Sequence, residues 1–258
     1  MKHLLTFFTS LLLAPLVATF AADVPVAKAK LVHVIILSGQ TMNGVDPKKG
    51  FESEAKARFA GAEVLYFKVA KGGAQIRLWV TEWDQIAARH GIDVKTARAG
   101  DAVPGTLYYE PILAEYRKLL EGRAAPVSVT FCWMQGEQDH KEKLDAAYAD
   151  SLRQLIANLR RDLNRPDMNV VIGRLNDWGD AGNTAWQNIR RAHVAISAAD
   201  PHAAWIDTDD LNDKETDGVM ENKYHFTGAG CDLLGRRFAR QTRLLVEGSG
   251  QAREGRPQ

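Results

Sequence analysis

Five short apolar runs, at residues 31–38, 63–69, 126–134, 169–175 and 203–208, constrain this chain more than any other feature of its sequence. Runs that stay apolar instead of alternating suit strands buried on both faces, as in a parallel sheet covered by helices. Stretches of helical character separate them, at 51–60, 109–120, 144–163, 186–198 and 233–246, and the third carries Leu152, Leu155, Ile156 and Leu159 at helical spacing. Parallel neighbours require right-handed crossovers. The alternation therefore predicts a three-layer α/β/α sandwich around a five-stranded parallel sheet, with functional groups outside its carboxyl edge.

A chain of 258 residues, 45% hydrophobic, has enough material for one large core. Its net charge of +1 and the lack of a basic stripe interleaved with aromatics speak against a nucleic-acid partner. Lys2 and His3 precede an apolar stretch, 4–17, that is short for a bilayer and ends in Thr19-Phe20-Ala21-Ala22, so residues 1–22 read as a cleaved secretory signal. The expectation is a secreted or periplasmic protein with one domain over 23–247, no membrane contact after cleavage, and a disordered tail at 248–258. Nothing in the chain specifies an oligomeric state. Cys132 and Cys231 form either one disulfide or two buried free thiols, and a domain of this size favours the thiols. The polar, glycine-containing stretch 91–105 reads as a surface insertion near the mouth of a site.

Strand ends supply the candidate chemistry. The first run closes on Gly39-Gln40-Thr41, the second is followed by Gly72-Gly73, the third stops at Gln135-Gly136-Glu137-Gln138-Asp139, and Tyr224-His225-Phe226-Thr227 opens the last helix. Acyl transfer by a hydroxyl needs a nucleophile at a sharp turn, an imidazole within reach, and donors aimed at the developing oxyanion. Thr41 offers the hydroxyl and His225 the imidazole. The Gln135 amide and backbone N–H groups offer the oxyanion hole, where a glycine admits close approach. Arg77, Trp79 and Trp83 either line a sugar subsite or pack as a surface helix, while Arg174, Asn176, Asp177 and Trp178 follow the fourth strand on the same edge. In Asp207-Thr208-Asp209-Asp210 the carboxylates suit loop capping better than a divalent ion. No zinc-like Cys/His spacing occurs, and no cofactor is expected.

Four blocks, Leu37-Ser38-Gly39-Gln40, Lys71-Gly72-Gly73-Ala74-Gln75-Ile76, Trp133-Met134-Gln135-Gly136-Glu137-Gln138-Asp139 and His225-Phe226, resemble in order those of SGNH-type hydrolases of the sialate O-acetylesterase-like branch, which includes carbohydrate acetylesterases. The similarity runs from Leu31 to about Leu245. It implies a flavodoxin-like SGNH fold, a serine-type esterase acting on acetylated carbohydrate, and no metal or cofactor. It also implies a nucleophile after Gly39-Gln40, an oxyanion hole of the Thr41 N–H, Gly73 and the Gln135 amide, and His225 as base. Gln40, Gly72, Arg77 and Trp178 are the candidate substrate contacts. Two departures stand out. Where the family has Gly-Gln-Ser-Asn-Met-x-Gly, this chain has the shorter Gly39-Gln40-Thr41-Met42-Asn43-Gly44, so threonine stands at the nucleophile position or the serine is lost. The Asp usual before the histidine is replaced by Asn222 and Lys223, which leaves Glu137 as the first candidate acid, ahead of Asp139, Asp217 and Glu221, with Asn222 as a neutral substitute. The functions in view are an esterase with a threonine nucleophile, a catalytically impaired relative that binds glycans and, more remotely, a structural or interaction protein that uses only the scaffold.

Overall fold

The computed structural model describes residues 30–101, 103, 105–178, 182–212 and 224–248. The expected signal and the tail beyond Gly248 lie outside them, as do Asp217, Glu221 and Asn222. Five strands, β1 (Val32–Gly39), β2 (Glu63–Ala70), β3 (Ser128–Trp133), β4 (Asn169–Gly173) and β5 (Ala203–Ile206), form one sheet in the order β2-β1-β3-β4-β5. All four pairings are parallel. The core strands β1, β3 and β4 are buried along their whole length, which is why they are written as unbroken apolar runs.

Helices cover both faces. On one side α1 (Phe51–Arg58) packs against α8 (Gly228–Val246), which lies over β3, β4 and β5. On the other, α6 (Asp145–Asp162) packs against α7 (Thr184–Ala199) and α2 (Trp83–Arg89), and Tyr109 of α4 (Tyr109–Leu120) donates a hydrogen bond to Asp162 at 2.6 Å. Two short helices, α3 (Val94–Ala97) and α5 (Glu137–Lys141), complete the order. The stretch read as an insertion thus contains α3, and the Trp83 segment is a surface helix whose inner face, Trp83, Ile86 and Ala87, is buried while Asp84, Gln85, Ala88 and Arg89 are exposed. The last helix starts five residues earlier than its hydrophobic spacing implied, because Thr227 caps it by accepting from Gly230 N–H.

In this strand order the connections leaving β1 and β3 run to opposite faces, which opens a crevice at their carboxyl ends. Gly39 makes that crossing possible. Its φ of +114° suits glycine, and a Cβ there would sit 2.2 Å from the Met134 carbonyl oxygen. With no side chain in the way, the Thr41 N–H reaches the same carbonyl at 3.1 Å and ties the turn after β1 to the end of β3.

Candidate functional site

Thr41, in the 3₁₀ turn Thr41–Gly44, and Glu137, at the first position of α5, meet across the crevice, the Thr41 hydroxyl donating to Glu137 Oε1. Gly136 aims the carboxyl: its φ of +143° starts the helix abruptly, and a Cβ there would lie 2.7 Å from the Ile189 side chain. Gly72 and Gly73 form the wall after β2. His225 arrives from the far end of the chain, fixed by an antiparallel bridge between Asn212 and Phe226 and by the Thr227 N–H to the Leu211 carbonyl at 3.2 Å. Asn176, past β4, donates to the Tyr224 carbonyl at 3.2 Å, and the Tyr224 ring lies 4.0 Å from that of His225. Together these segments enclose a cleft of about 300 Å³, lined by Gln40, Thr41, Asn43, Gly72, Gly73, Glu137, His225 and Cys231 among others.

Burial governs the electrostatics of this edge. Desolvation raises the Glu137 carboxyl from 4.5 to about 7, helped by the charge of Asp139 and partly offset by nearby backbone N–H groups. Asp139 also rises to about 7 through desolvation, against the pull of the Gln135 amide, the Ile76 N–H at 2.9 Å and Arg77. Glu137 Oε2 and Asp139 Oδ1 are buried with no hydrogen-bond partner among the described residues. A shared environment that disfavours charge on two neighbouring carboxyls is typical of sites built for proton chemistry.

Behind the site, a fully buried network holds the third block. Tyr148 donates to the Gln135 carbonyl at 2.8 Å and accepts from Trp133 Nε1 at 3.2 Å. His193 Nδ1 accepts from the Leu175 N–H at 3.4 Å, so the ring proton is on Nε2, 2.9 Å from the Tyr148 oxygen. Desolvation, with the charges of Arg190 and Arg174, lowers the pKa of His193 to about 3 and keeps it neutral. Tyr148 and His193 carried no signal in the sequence beyond core-like spacing.

Several expected roles need correction. The Thr41 N–H, expected at the oxyanion, is committed to Met134. The Gln135 side chain is fully buried and turns beneath the glycine loop, donating to the Ala74 carbonyl at 3.1 Å and to Asp139, so it holds that loop instead of lining the cleft. Glu137 meets the hydroxyl of Thr41, and among the described residues no hydrogen bond joins it to His225. Arg77 belongs to the neighbouring cavity, ion-paired with Asp101 and Glu142. Trp178 packs edge-on against His140, Trp186 and Tyr224, outside the cleft. Gln40 and Gly72 do line it, and the Gln40 carbonyl oxygen Oε1 also accepts from the Gln138 N–H at 3.1 Å. Sequence reasoning missed Asn43 as a site residue: its exposed side chain lies on the cleft wall beside Gly72. The neighbouring Ser38 is no substitute nucleophile, because its buried hydroxyl donates to the Val69 carbonyl and accepts from Trp79.

Both cysteines are free. Cys132 is buried in β3, whereas Cys231 is half-buried and lines the cleft. The carboxylates at 207–210 are engaged by arginines, Asp207 by Arg174, Asp209 by Arg174 and Arg190, and Asp210 by Arg237, which is the chemistry of a pinned loop.

Residues 14–243 match the family described as carbohydrate esterase, sialic acid-specific acetylesterase. No curated protein matches the chain. Among solved structures, a protein from Arabidopsis thaliana aligns with a TM-score of 0.57 at 18% identity, over 82% of this chain and 97% of its own. A carbohydrate acetylesterase from Xanthomonas citri aligns at 0.54 and 19%, over 77% of this chain and 40% of its own. A family 3 carbohydrate esterase from Talaromyces cellulolyticus aligns at 0.50 and 12%, over 84% and 99%. At these identities the structural likeness speaks for the fold, the SGNH-type sandwich. Covering most of the length, strands and cleft included, the sequence match places this chain in the carbohydrate esterase, sialic acid-specific acetylesterase family.

Proposed function

We propose that this protein is an exported carbohydrate esterase that removes O-acetyl groups from saccharides, with Thr41 as nucleophile. The observation that carries the reading is the convergence of Thr41, Gly73, Glu137 and His225 on one cleft at the switch point of the sheet. The Thr41 oxygen attacks the acetyl carbonyl carbon while its proton leaves to His225, and the same imidazolium then protonates the departing sugar oxygen. Water hydrolyses the acetyl-threonine by the reverse sequence. The Glu137 carboxylate holds the hydroxyl proton in the resting site, and the hydroxyl turns from Glu137 to His225 as attack begins. The N–H groups of Gly72 and Gly73, which make no hydrogen bond among the described residues, and the Asn43 carboxamide supply the oxyanion donors that Gln135 and the Thr41 N–H do not. Export follows from the reading of residues 1–22 as a signal.

Acetate release from acetylated xylan or a chromogenic acetate tests the proposal. Wild type releases acetate, and Thr41→Ala and His225→Ala lower the rate by about a hundredfold or more, the usual scale for loss of nucleophile or base. Equal rates in all three proteins refute the assignment. One observation favours a second reading, a glycan-binding protein without turnover: the Thr41 hydroxyl is held by Glu137, and its β-branch restricts χ1. Saccharide retention with no acetate release from any of the three proteins would select it.

A further inference from the structure

The stretch 91–105 and the buried Arg77 have no part in the acyl-transfer machinery, yet together they build a second cavity of about 450 Å³ beside the first. That volume falls in the range of about 300–1,000 Å³ common for small-molecule sites. Gly73 lines both cavities, so the candidate oxyanion wall of one is the threshold of the other. The second is walled by Gln75, Arg77, Thr96, Asp101, Leu107 and Glu142.

Its charges are closed among themselves. The Arg77 guanidinium, 3% exposed, donates from Nε and one terminal nitrogen to Asp101, at 2.8–3.2 Å, and from the other to Glu142 at 2.6 Å. Arg98 pairs with Asp101 at 2.9 Å and with Asp84 at 2.5 Å. Glu142 Oε1 accepts from Gln75 and Gln138, while Oε2, among the described residues, accepts from Arg77 and keeps acceptor capacity. Two guanidiniums thus face three carboxylates, and no guanidinium among them is left over to neutralise an incoming anion. What remains is an acceptor at Glu142, the residual N–H protons of Arg77 next to it, and the exposed apolar side chain of Leu107 at the rim. Adjacent donors and acceptors with an apolar edge match vicinal hydroxyls and the C–H face of a neutral sugar ring.

We propose that this cavity is a second saccharide subsite, which takes an uncharged pyranose adjacent to the one bearing the acetyl group. The proposal rests on the esterase reading for the position of the acetylated ring, and it makes the substrate an oligosaccharide of neutral sugars, not an isolated acidic one. It predicts a kcat/KM on acetylated xylobiose at least about tenfold above that on the acetylated methyl xyloside, carried by KM. Filling the cavity from its exposed wall with Thr96→Trp, and separately neutralising its acceptor with Glu142→Gln, should collapse that ratio towards one. In parallel, calorimetric binding of unacetylated xylobiose is measured on Thr41→Ala with and without Thr96→Trp, and binding should be lost in the double variant. A ratio unaffected by both substitutions, or a preference for O-acetylated N-acetylneuraminic acid over the xylobiose ester, overturns the proposal. If no probe releases acetate but xylobiose binding still disappears with Thr96→Trp, the subsite stands and the esterase reading falls. If neither turnover ratio nor binding responds, the subsite falls whatever the activity.

Discussion

Glu137→Gln separates the catalytic value of this carboxyl from its cost to the fold. In the native protein burial raises its pKa from 4.5 to about 7. A group whose folded-state pKa is raised binds its proton more tightly in the folded state, so its contribution to stability is complete below the unfolded value and is lost as pH rises through the folded one. At 1.36 kcal/mol per pKa unit, the rise from 4.5 to about 7 amounts to roughly 3 kcal/mol lost between those two pH values. The glutamine of the variant does not titrate. Its amide oxygen can still accept the Thr41 proton, so the variant should match wild type within about 1 kcal/mol near pH 4 and exceed it by up to about 3 kcal/mol at pH 8. Urea unfolding across pH 4 to 8 at constant ionic strength measures the difference. Asp139 keeps its own slope in both proteins, because its shift from 3.8 to about 7 has the same sign.

The same substitution should lower activity. If the ionised carboxylate orients the Thr41 hydroxyl, wild-type kcat/KM climbs as pH passes about 7, whereas the variant lacks that limb and turns over about a hundredfold more slowly at pH 8. A variant more stable and less active at high pH is the expected signature of a carboxyl retained for chemistry. An unchanged pH slope of stability, or a variant less stable than wild type at pH 8, would refute the claim that burial of an ionising Glu137 strains the folded state.

Thr41→Ser removes the methyl that restricts the attacking oxygen, and kcat on a chromogenic acetate should rise several-fold with little change in melting temperature. Gly39→Ala places a Cβ 2.2 Å from the Met134 carbonyl at a φ of +114°, so denaturant titration should show a loss above about 3 kcal/mol, or soluble expression should fail. His193→Leu strips partners from the Leu175 N–H and the Tyr148 hydroxyl. Urea titration should register a loss of about 2–4 kcal/mol, independent of pH above the ordinary histidine value of 6.5 and shrinking as pH falls below it, because the unfolded wild type then takes up a proton that the folded His193, lowered to about 3, refuses and leucine never binds.

The parts of this protein that were legible in the sequence are those whose physics is local. Two-sided burial writes a parallel strand as an apolar run, so all five strands were recoverable within a few residues, and the common edge followed because Gly39, Ala70, Trp133, Gly173 and Ile206 close strands that run the same way. That is enough to bring Thr41, Gly73, Glu137 and His225 together. It does not decide where a side chain turns after the last strand residue. Gln135 and Glu137 sit two positions apart on the same edge, yet one dives beneath the glycine loop to Asp139 and Ala74 while the other faces Thr41. What separates them is Gly136, whose φ of +143° suits glycine and against which Ile189, on a helix some fifty residues downstream, leaves no room for a Cβ, and no local pattern reports that contact. The same limit applies to Asn43, whose place beside Gly72 depends on how tightly a shortened turn winds, and to Arg77, whose burial depends on Asp101 in a stretch that reads as surface. Sequence pattern specifies which segments share the rim. The handful of backbone angles at Gly39 and Gly136, fixed by distant packing, specify which atoms face one another across it, and substitutions at those two glycines should therefore disable the site more completely than most changes among the residues that line it.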